Sequence, residues 1–312
     1  MAHEDVREGL RGTATGVLTP FFDDGSIDED ALTANVAELA DRGCETFLAT
    51  ANISEYHSLS QAERVVTARA AMDGLGDDAT VLAGVGGSTG DAIELIEAYD
   101  ELGVDAMMVM PPDHTYRHER GLLDYYRALG DASDAPLVPY VRGFHPSVDF
   151  LVDLAELDDV AAVKYAIDDA GKLDAATDRS EADVVWSCGL AEPHAPAFWE
   201  AGAEGFTSGV SNFAPRLGLA LYDALVAGDW DLAWRLRDAA LPFMDFRSST
   251  GEDNTLADAN SVPVVKAGLE LAGLEYHGGT VREPIVELPE ADRHRVEVLY
   301  DELTTTLDRL LD

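Results

Sequence analysis

The sequence predicts an α/β fold, a (β/α)8 TIM barrel with an appended C-terminal helical segment. Short apolar runs alternate with amphipathic stretches, and the alternation occurs eight times. Eight strand–helix units in series argue for a closed parallel barrel over an open doubly wound sheet. The chain has 312 residues, a length that suits one such barrel plus an extension. We expect a catalytic barrel over 1–227 and helices packed on it over 228–312.

Thr13–Phe21 reads as the first strand, with a helix from about Asp28 to Arg42. Cys44–Thr50 is the second strand. The helix after it, Ser60–Asp73, is opened by a serine cap with Glu63 three residues on, the pattern of a capping box. Val81–Val85 and Ala106–Met110 are the third and fourth strands, followed by helices over Thr89–Leu102 and Glu119–Leu129. Leu137–Val141 precedes Val148–Leu157, and Val160–Tyr165 precedes Ala170–Thr177. Val184–Cys188 precedes Pro193–Glu200, and Gly205–Gly209 precedes Pro215–Val226. Trp230–Phe246, Asn260–Leu271 and Ala291–Leu310 supply the C-terminal helices. Between the first two, the polar, Gly-containing Arg247–Asp258 reads as a mobile connection. Trp199, Trp230 and Trp234 fall at apolar helical positions and are assigned to the core.

Composition narrows the function. Sixty acidic residues against 21 basic ones give a formal charge of −39. The acids are spread along the chain, so an acidic tail does not account for them. A dense carboxylate surface stays hydrated in molar salt, which screens its self-repulsion, so a halophilic protein is expected. The same charge repels nucleic acid and anionic membranes, so neither is expected as a partner. The N-terminus shows no basic stretch followed by an apolar core, and no apolar run is long enough to span a bilayer; a cytoplasmic protein is expected. Cys44 and Cys188 are expected to be buried free thiols, and no metal-ligand spacing exists.

In a barrel of this kind, chemistry lies at the C-terminal ends of the strands. Only one residue there, Lys164, is a strong nucleophile candidate. It ends the apolar run Val160-Ala-Ala-Val, in a chain with three lysines and eighteen arginines. A desolvated amine can attack a ketone and form a Schiff base; a lysine so placed can also run its stem out to solvent. Tyr140, on the neighbouring strand, is a proton carrier if a cation beside it lowers its ordinary pKa. Gly84-Val-Gly-Gly-Ser-Thr-Gly90 lacks the ending of a phosphate-binding loop and reads as a tight strand–helix turn. His114 and His118 read as polar loop residues, not as metal ligands. Glu55 is either a catalytic base or a loop-stabilising carboxylate, and His57 and His194 near strand ends have no assigned role.

These residues in this order resemble the Schiff-base-forming dihydrodipicolinate synthase/N-acetylneuraminate lyase family, over nearly the whole chain. Gly16-Val-Leu-Thr-Pro20-Phe-Phe-Asp-Asp-Gly25 looks like its opening strand and turn, and Glu55 to Arg64 like the segment after its carboxylate loop. Tyr140 matches the relay tyrosine, Val163-Lys164 the Schiff-base lysine, Gly205 to Asn212 the eighth strand, and Val264 to Leu269 part of the C-terminal helices. The resemblance implies a class I lyase for a 2-keto-acid, with a 2-keto-3-deoxy sugar acid as the expected substrate. It implies no cofactor, no metal and a homotetramer. The catalytic residues implied are Lys164 and Tyr140. Loop amides near Asn52 and Ile53 would hold the carboxylate and Arg142 the distal end of the substrate, with Gly189 and Thr207 completing the binding set.

The departures concern substrate. Where the family usually has Gly-Thr-Thr-Gly-Glu, this chain has Ala51-Asn52-Ile53-Ser54-Glu55. An amide side chain donates hydrogen bonds but does not relay a proton as a hydroxyl does, while backbone N–H groups are indifferent to the change. The tyrosine pair usual after strand four is replaced by Met110-Pro-Pro-Asp-His-Thr-Tyr116, and His145 stands where synthases carry an arginine. Tyr140-x-Arg142 resembles instead the family's 5-dehydro-4-deoxyglucarate dehydratases, so water loss is the alternative to aldol cleavage. A non-catalytic keto-acid-binding homologue and a true dihydrodipicolinate synthase are the remaining alternatives.

Overall fold

A computed structural model describes residues 2–76, 78–273 and 278–312. The strands are β1 (Thr13–Gly16), β2 (Thr46–Leu48), β3 (Thr80–Val85), β4 (Ala106–Val109), β5 (Leu137–Val141), β6 (Ala162–Tyr165), β7 (Val185–Cys188) and β8 (Gly205–Ser208). They close into a barrel in sequence order, β1 to β8, the expected TIM barrel. The pairs from β2/β3 through β7/β8 are parallel. All four residues of β4, β6, β7 and β8 are buried, as parallel strands covered on both faces require.

The chain divides into two compact units. The first comprises 1–14, 46–48 and 80–207 and carries β2 to β7. Its core combines strand residues such as Leu82, Val85, Met108, Val141 and Val163 with Ile96, Tyr99, Tyr126, Leu129 and Leu151 from the intervening helices, all fully buried. Within it, Phe206 N–H donates to Gly12 O at 3.0 Å, so the start of β8 lies beside the residues that lead into β1. The second unit comprises 15–45, 49–79 and 208–312 and is mostly helical. Glu29–Asp41 packs on Gln61–Asp73, and Trp230–Arg247 packs on both Pro215–Ala227 and Glu290–Leu311. The capping box opens the helix as expected: Ser60 Oγ accepts from Glu63 N–H, and the Glu63 carboxylate accepts from Ser60 N–H.

Four features depart from or add to the expectation. A helix, Ala2–Leu10, precedes β1 and buries Val6 and Leu10. The first strand stops at Gly16 and not at Phe21. Beyond it, Pro20 O accepts from Asp28 N–H and Phe21 forms an isolated antiparallel bridge to Ile27, so the segment turns back on itself. Trp234 is 39% exposed and belongs to the surface, while Trp199 and Trp230 are half-buried; the core assignment of Trp234 is corrected. The 247–258 connection is tied by Asp258 N–H to Ser248 O and by Asn254 Nδ2 to Thr250 O.

Candidate active site

Ala161, Ala162 and Val163 are fully buried ahead of Lys164, and Tyr165 is fully buried after it. Alternation along β6 turns Tyr165 outward, where its ring meets Phe198, and turns Lys164 the other way. The register sets Lys164 beside Tyr140 on β5 and Ser187 on β7, and neighbours in register share a face. Lys164 is 6% exposed and Tyr140 3%. Lys164 Nζ lies 4.1 Å from the centroid of the Tyr140 ring and 3.7 Å from Met108 Sδ of β4. The amine is therefore bordered by an aromatic face and a thioether, both weakly polar.

Arg142 is exposed just past β5, and its Nη1 donates to the Tyr140 hydroxyl at 3.4 Å. A proton leaving the phenol leaves its charge beside a guanidinium. Gly189 follows β7. A Cβ there would stand 3.2 Å from Lys164 Cγ and 3.3 Å from Tyr140 Cε2, so a residue without a side chain makes room for both. Thr207 lies two residues beyond Gly205, the register partner of Ser187, and so shares the face of Ser187 and Lys164. Lys164, Tyr140, Arg142, Gly189 and Thr207 all belong to the first unit.

Asn52 and Ile53 belong to the second unit, in a short 3-10 turn, Asn52–Ser54, that follows β2. Ser54 fixes this turn: its Oγ accepts from Ala51 N–H and donates to Val17 O, and its carbonyl accepts from Thr19 Oγ1 at 2.8 Å. Ile53 is buried, with Cγ2 2.5 Å from where a Cβ on Gly16 would be, so glycine at 16 admits the larger side chain. Among the described residues, the Asn52 and Ile53 backbone N–H groups meet no acceptor, and Asn52 Oδ1 meets no donor. Successive backbone N–H groups in a turn are able to bind an anion.

Met108 and Ser187 were not singled out from the sequence. Both neighbour Lys164, and Ser187 Oγ is buried with no hydrogen-bond partner among the described residues. Only the register between strands reveals them. Glu55 is buried against Lys266 at 2.7 Å, which places it in the loop-stabilising role. His118 caps Glu119–Gly130, its Nδ1 accepting from Arg120 N–H, and His114 Nδ1 accepts from Tyr116 N–H, so both are loop histidines. His57 meets the Tyr56 ring edge-on, and His194 Nε2 lies 3.5 Å from Asp168 Oδ1. Tyr116 is exposed. Ser88 caps Thr89–Leu102, so the glycine-rich stretch is the strand–helix turn that was expected. Cys44 and Cys188 are free and buried; burial pushes the Cys188 thiol up to about 12 and raises that of Cys44, which makes both inert. No helix among the described residues is long and apolar enough to cross a membrane.

The profile of the dihydrodipicolinate synthetase family matches residues 9–303. A Streptomyces griseus relative named "Probable 5-dehydro-4-deoxyglucarate dehydratase" is 32% identical over 284 residues, covering 86% of this chain and 84% of its own. The "4-hydroxy-tetrahydrodipicolinate synthase 2" of Streptomyces coelicolor is 30% identical, covering 91% of this chain and 92% of its own. The crystal structure of dihydrodipicolinate synthase from Oceanobacillus iheyensis superposes with a TM-score of 0.90 at 32% identity, covering 98% of this chain and all of that one.

Proposed function

The chain belongs to the dihydrodipicolinate synthetase family, and from that premise we propose that it is a class I lyase acting on 2-keto-3-deoxy sugar acids through a Schiff base on Lys164. The observation that carries the reading is the buried Lys164 amine, held between the Tyr140 ring and Met108 at the end of a barrel strand. Lys164 Nζ attacks the C2 ketone to give a carbinolamine, and loss of water gives the iminium. Tyr140 carries the protons of that collapse, with Arg142 steadying its oxygen. The iminium is an electron sink. Tyr140 then takes the C4 hydroxyl proton, which sends the C3–C4 bonding pair toward nitrogen and releases an aldehyde. The remaining enamine is protonated at C3 and hydrolysed to pyruvate and the free lysine. The family resemblance assigns the substrate carboxylate to the backbone amides near Asn52 and Ile53. Arg142 also reaches the distal end of the substrate, with Gly189 and Thr207 lining the path.

A second reading, dehydration, uses the same iminium. A C3 proton is removed and the C4 hydroxyl departs as water. The Tyr140-x-Arg142 spacing and the name of the Streptomyces griseus relative favour it. Incubation with 2-keto-3-deoxy sugar acids separates the two. Stoichiometric pyruvate and aldehyde support cleavage; a deoxygenated keto-acid without pyruvate supports water loss. Failure to consume any such acid, together with efficient condensation of pyruvate with aspartate semialdehyde, would overturn both.

The charge of −39 supports a life in molar salt. Homotetramer assembly completes the proposal, with the barrel of 1–227 as the catalytic part and 228–312 packed on it.

A further inference from the structure

The second unit holds a buried ion pair that the proposed reaction does not use. Lys266 Nζ lies 2.7 Å from Glu55 Oε1, with the side chains 4% and 0% exposed. The amine also donates to Thr19 O at 2.8 Å and Thr280 O at 2.5 Å, so two backbone carbonyls join the carboxylate around it. Glu55 Oε2 accepts the backbone N–H of Arg282 at 3.0 Å, and the Arg282 guanidinium donates to Gly25 O, Ser58 O and Glu63 Oε1. Burial pushes the Lys266 pKa below the usual lysine range, opposed by the charge of Glu55. A buried ion pair is no better for stability than a well-packed apolar pair of the same volume, so stability alone does not explain this one.

Its placement suggests what does. Glu55 has a left-handed backbone, φ 59°, uncommon for a residue with a side chain. It closes the Asn52–Ser54 turn and opens the next one: its N–H donates to Asn52 O and its carbonyl accepts from Ser58 N–H. The turn it closes begins with the amides of Asn52 and Ile53, which meet no acceptor among the described residues. We infer that Lys266 and Glu55 are positioning residues for substrate: the pair holds Glu55 in its left-handed conformation and so keeps both amides aimed at the carboxylate of a keto-acid. The inference rests on the keto-acid reading above. It ties carboxylate binding to the Ser261–Leu271 helix, which carries Lys266.

Comparing a ligand that has the carboxylate with one that lacks it provides the test. Borohydride trapping on the chain is measured against concentration for pyruvate and for hydroxyacetone, a ketone of similar size without the acid. The double substitution Glu55→Gln with Lys266→Met removes both charges together. The half-saturating pyruvate concentration should rise at least about tenfold, as expected for losing hydrogen bonds to a charged group. The hydroxyacetone curve and the limiting trapping rate should stay unchanged. If the double variant does not fold, Glu55→Gln alone is read in the same way, because its amide oxygen still accepts from Lys266 while one carboxylate bond is lost. Equal shifts for both ligands, or no shift for either, would assign the pair to structure alone and overturn the inference. A wild-type chain that traps no keto-acid at all sinks the keto-acid reading and the inference with it.

Discussion

Replacing Gly189 with alanine puts a methyl group where Lys164 and Tyr140 already pack. The new Cβ would stand 2.7 Å from Ala166 Cβ, 3.2 Å from Lys164 Cγ and 3.3 Å from Tyr140 Cε2. Carbon atoms rest at roughly 3.5–4.0 Å. Ala166 Cβ is fixed to its own backbone, so the chain just beyond β6 or β7 must yield by several tenths of an ångström. Overpacking of this kind costs about 1–3 kcal/mol, which lowers the melting temperature by a few degrees in a chain of this length. The effect on chemistry is larger, because the strain is relieved through the Lys164 stem and the Tyr140 ring. A misplacement of about 1 Å costs on the order of 10²-fold in rate. We therefore expect pyruvate-dependent borohydride trapping in Gly189→Ala to slow by about 10- to 100-fold while the protein stays folded. Single-turnover trapping followed by intact mass, alongside a thermal melt, checks both halves. A variant that melts a few degrees lower yet traps at the wild-type rate would refute the packing described around Lys164.

Lys266→Met leaves the Glu55 carboxylate buried without its cation and should cost about 3–5 kcal/mol in a denaturant melt; a loss under about 1 kcal/mol would contradict the buried pair. The Glu63 carboxyl is drawn from 4.5 down to about 2, chiefly by its hydrogen bond from Arg282, with Ser60 assisting against burial. Its contribution is fully present above 4.5 and is lost as pH falls toward 2. The stability gap between wild type and Glu63→Gln should therefore shrink on acidification through that window; a gap that is constant or widening there argues against the contact. With a charge of −39, the melting temperature should climb steadily as KCl is raised from millimolar to molar; indifference to salt would remove the case for a halophile.

Much of the fold was legible because its signals are local. Ser60 and Glu63 announce their capping box within four residues, and the strand runs are uniform because both faces of a parallel sheet are buried. Lys164 was legible for the same reason, as a charge at the end of such a run. Features set by register or by long-range contact were not. Met108 and Ser187 look like ordinary strand residues until β4 and β7 are placed beside β6. The partnership of Glu55 with Lys266 joins a loop after β2 to a helix near the C-terminus, and no local pattern marks it. The end of the first strand is not legible because apolar residues continue past Gly16, although the backbone turns back there through Pro20 and Phe21. The Ala2–Leu10 helix is not legible because it anchors itself with Val6 and Leu10 among charged neighbours, too short a stripe to show a period.

Mass spectrometry of borohydride-trapped protein tests the central claim most directly. The chain is incubated in multimolar KCl with pyruvate and sodium borohydride, then digested and mapped. A reduced pyruvate adduct on the peptide that carries Lys164, absent in Lys164→Ala, is the result expected of a Schiff-base lyase. Protein that stays unmodified with pyruvate and with every longer 2-keto-acid, or an adduct confined to Lys172 or Lys266, would contradict it.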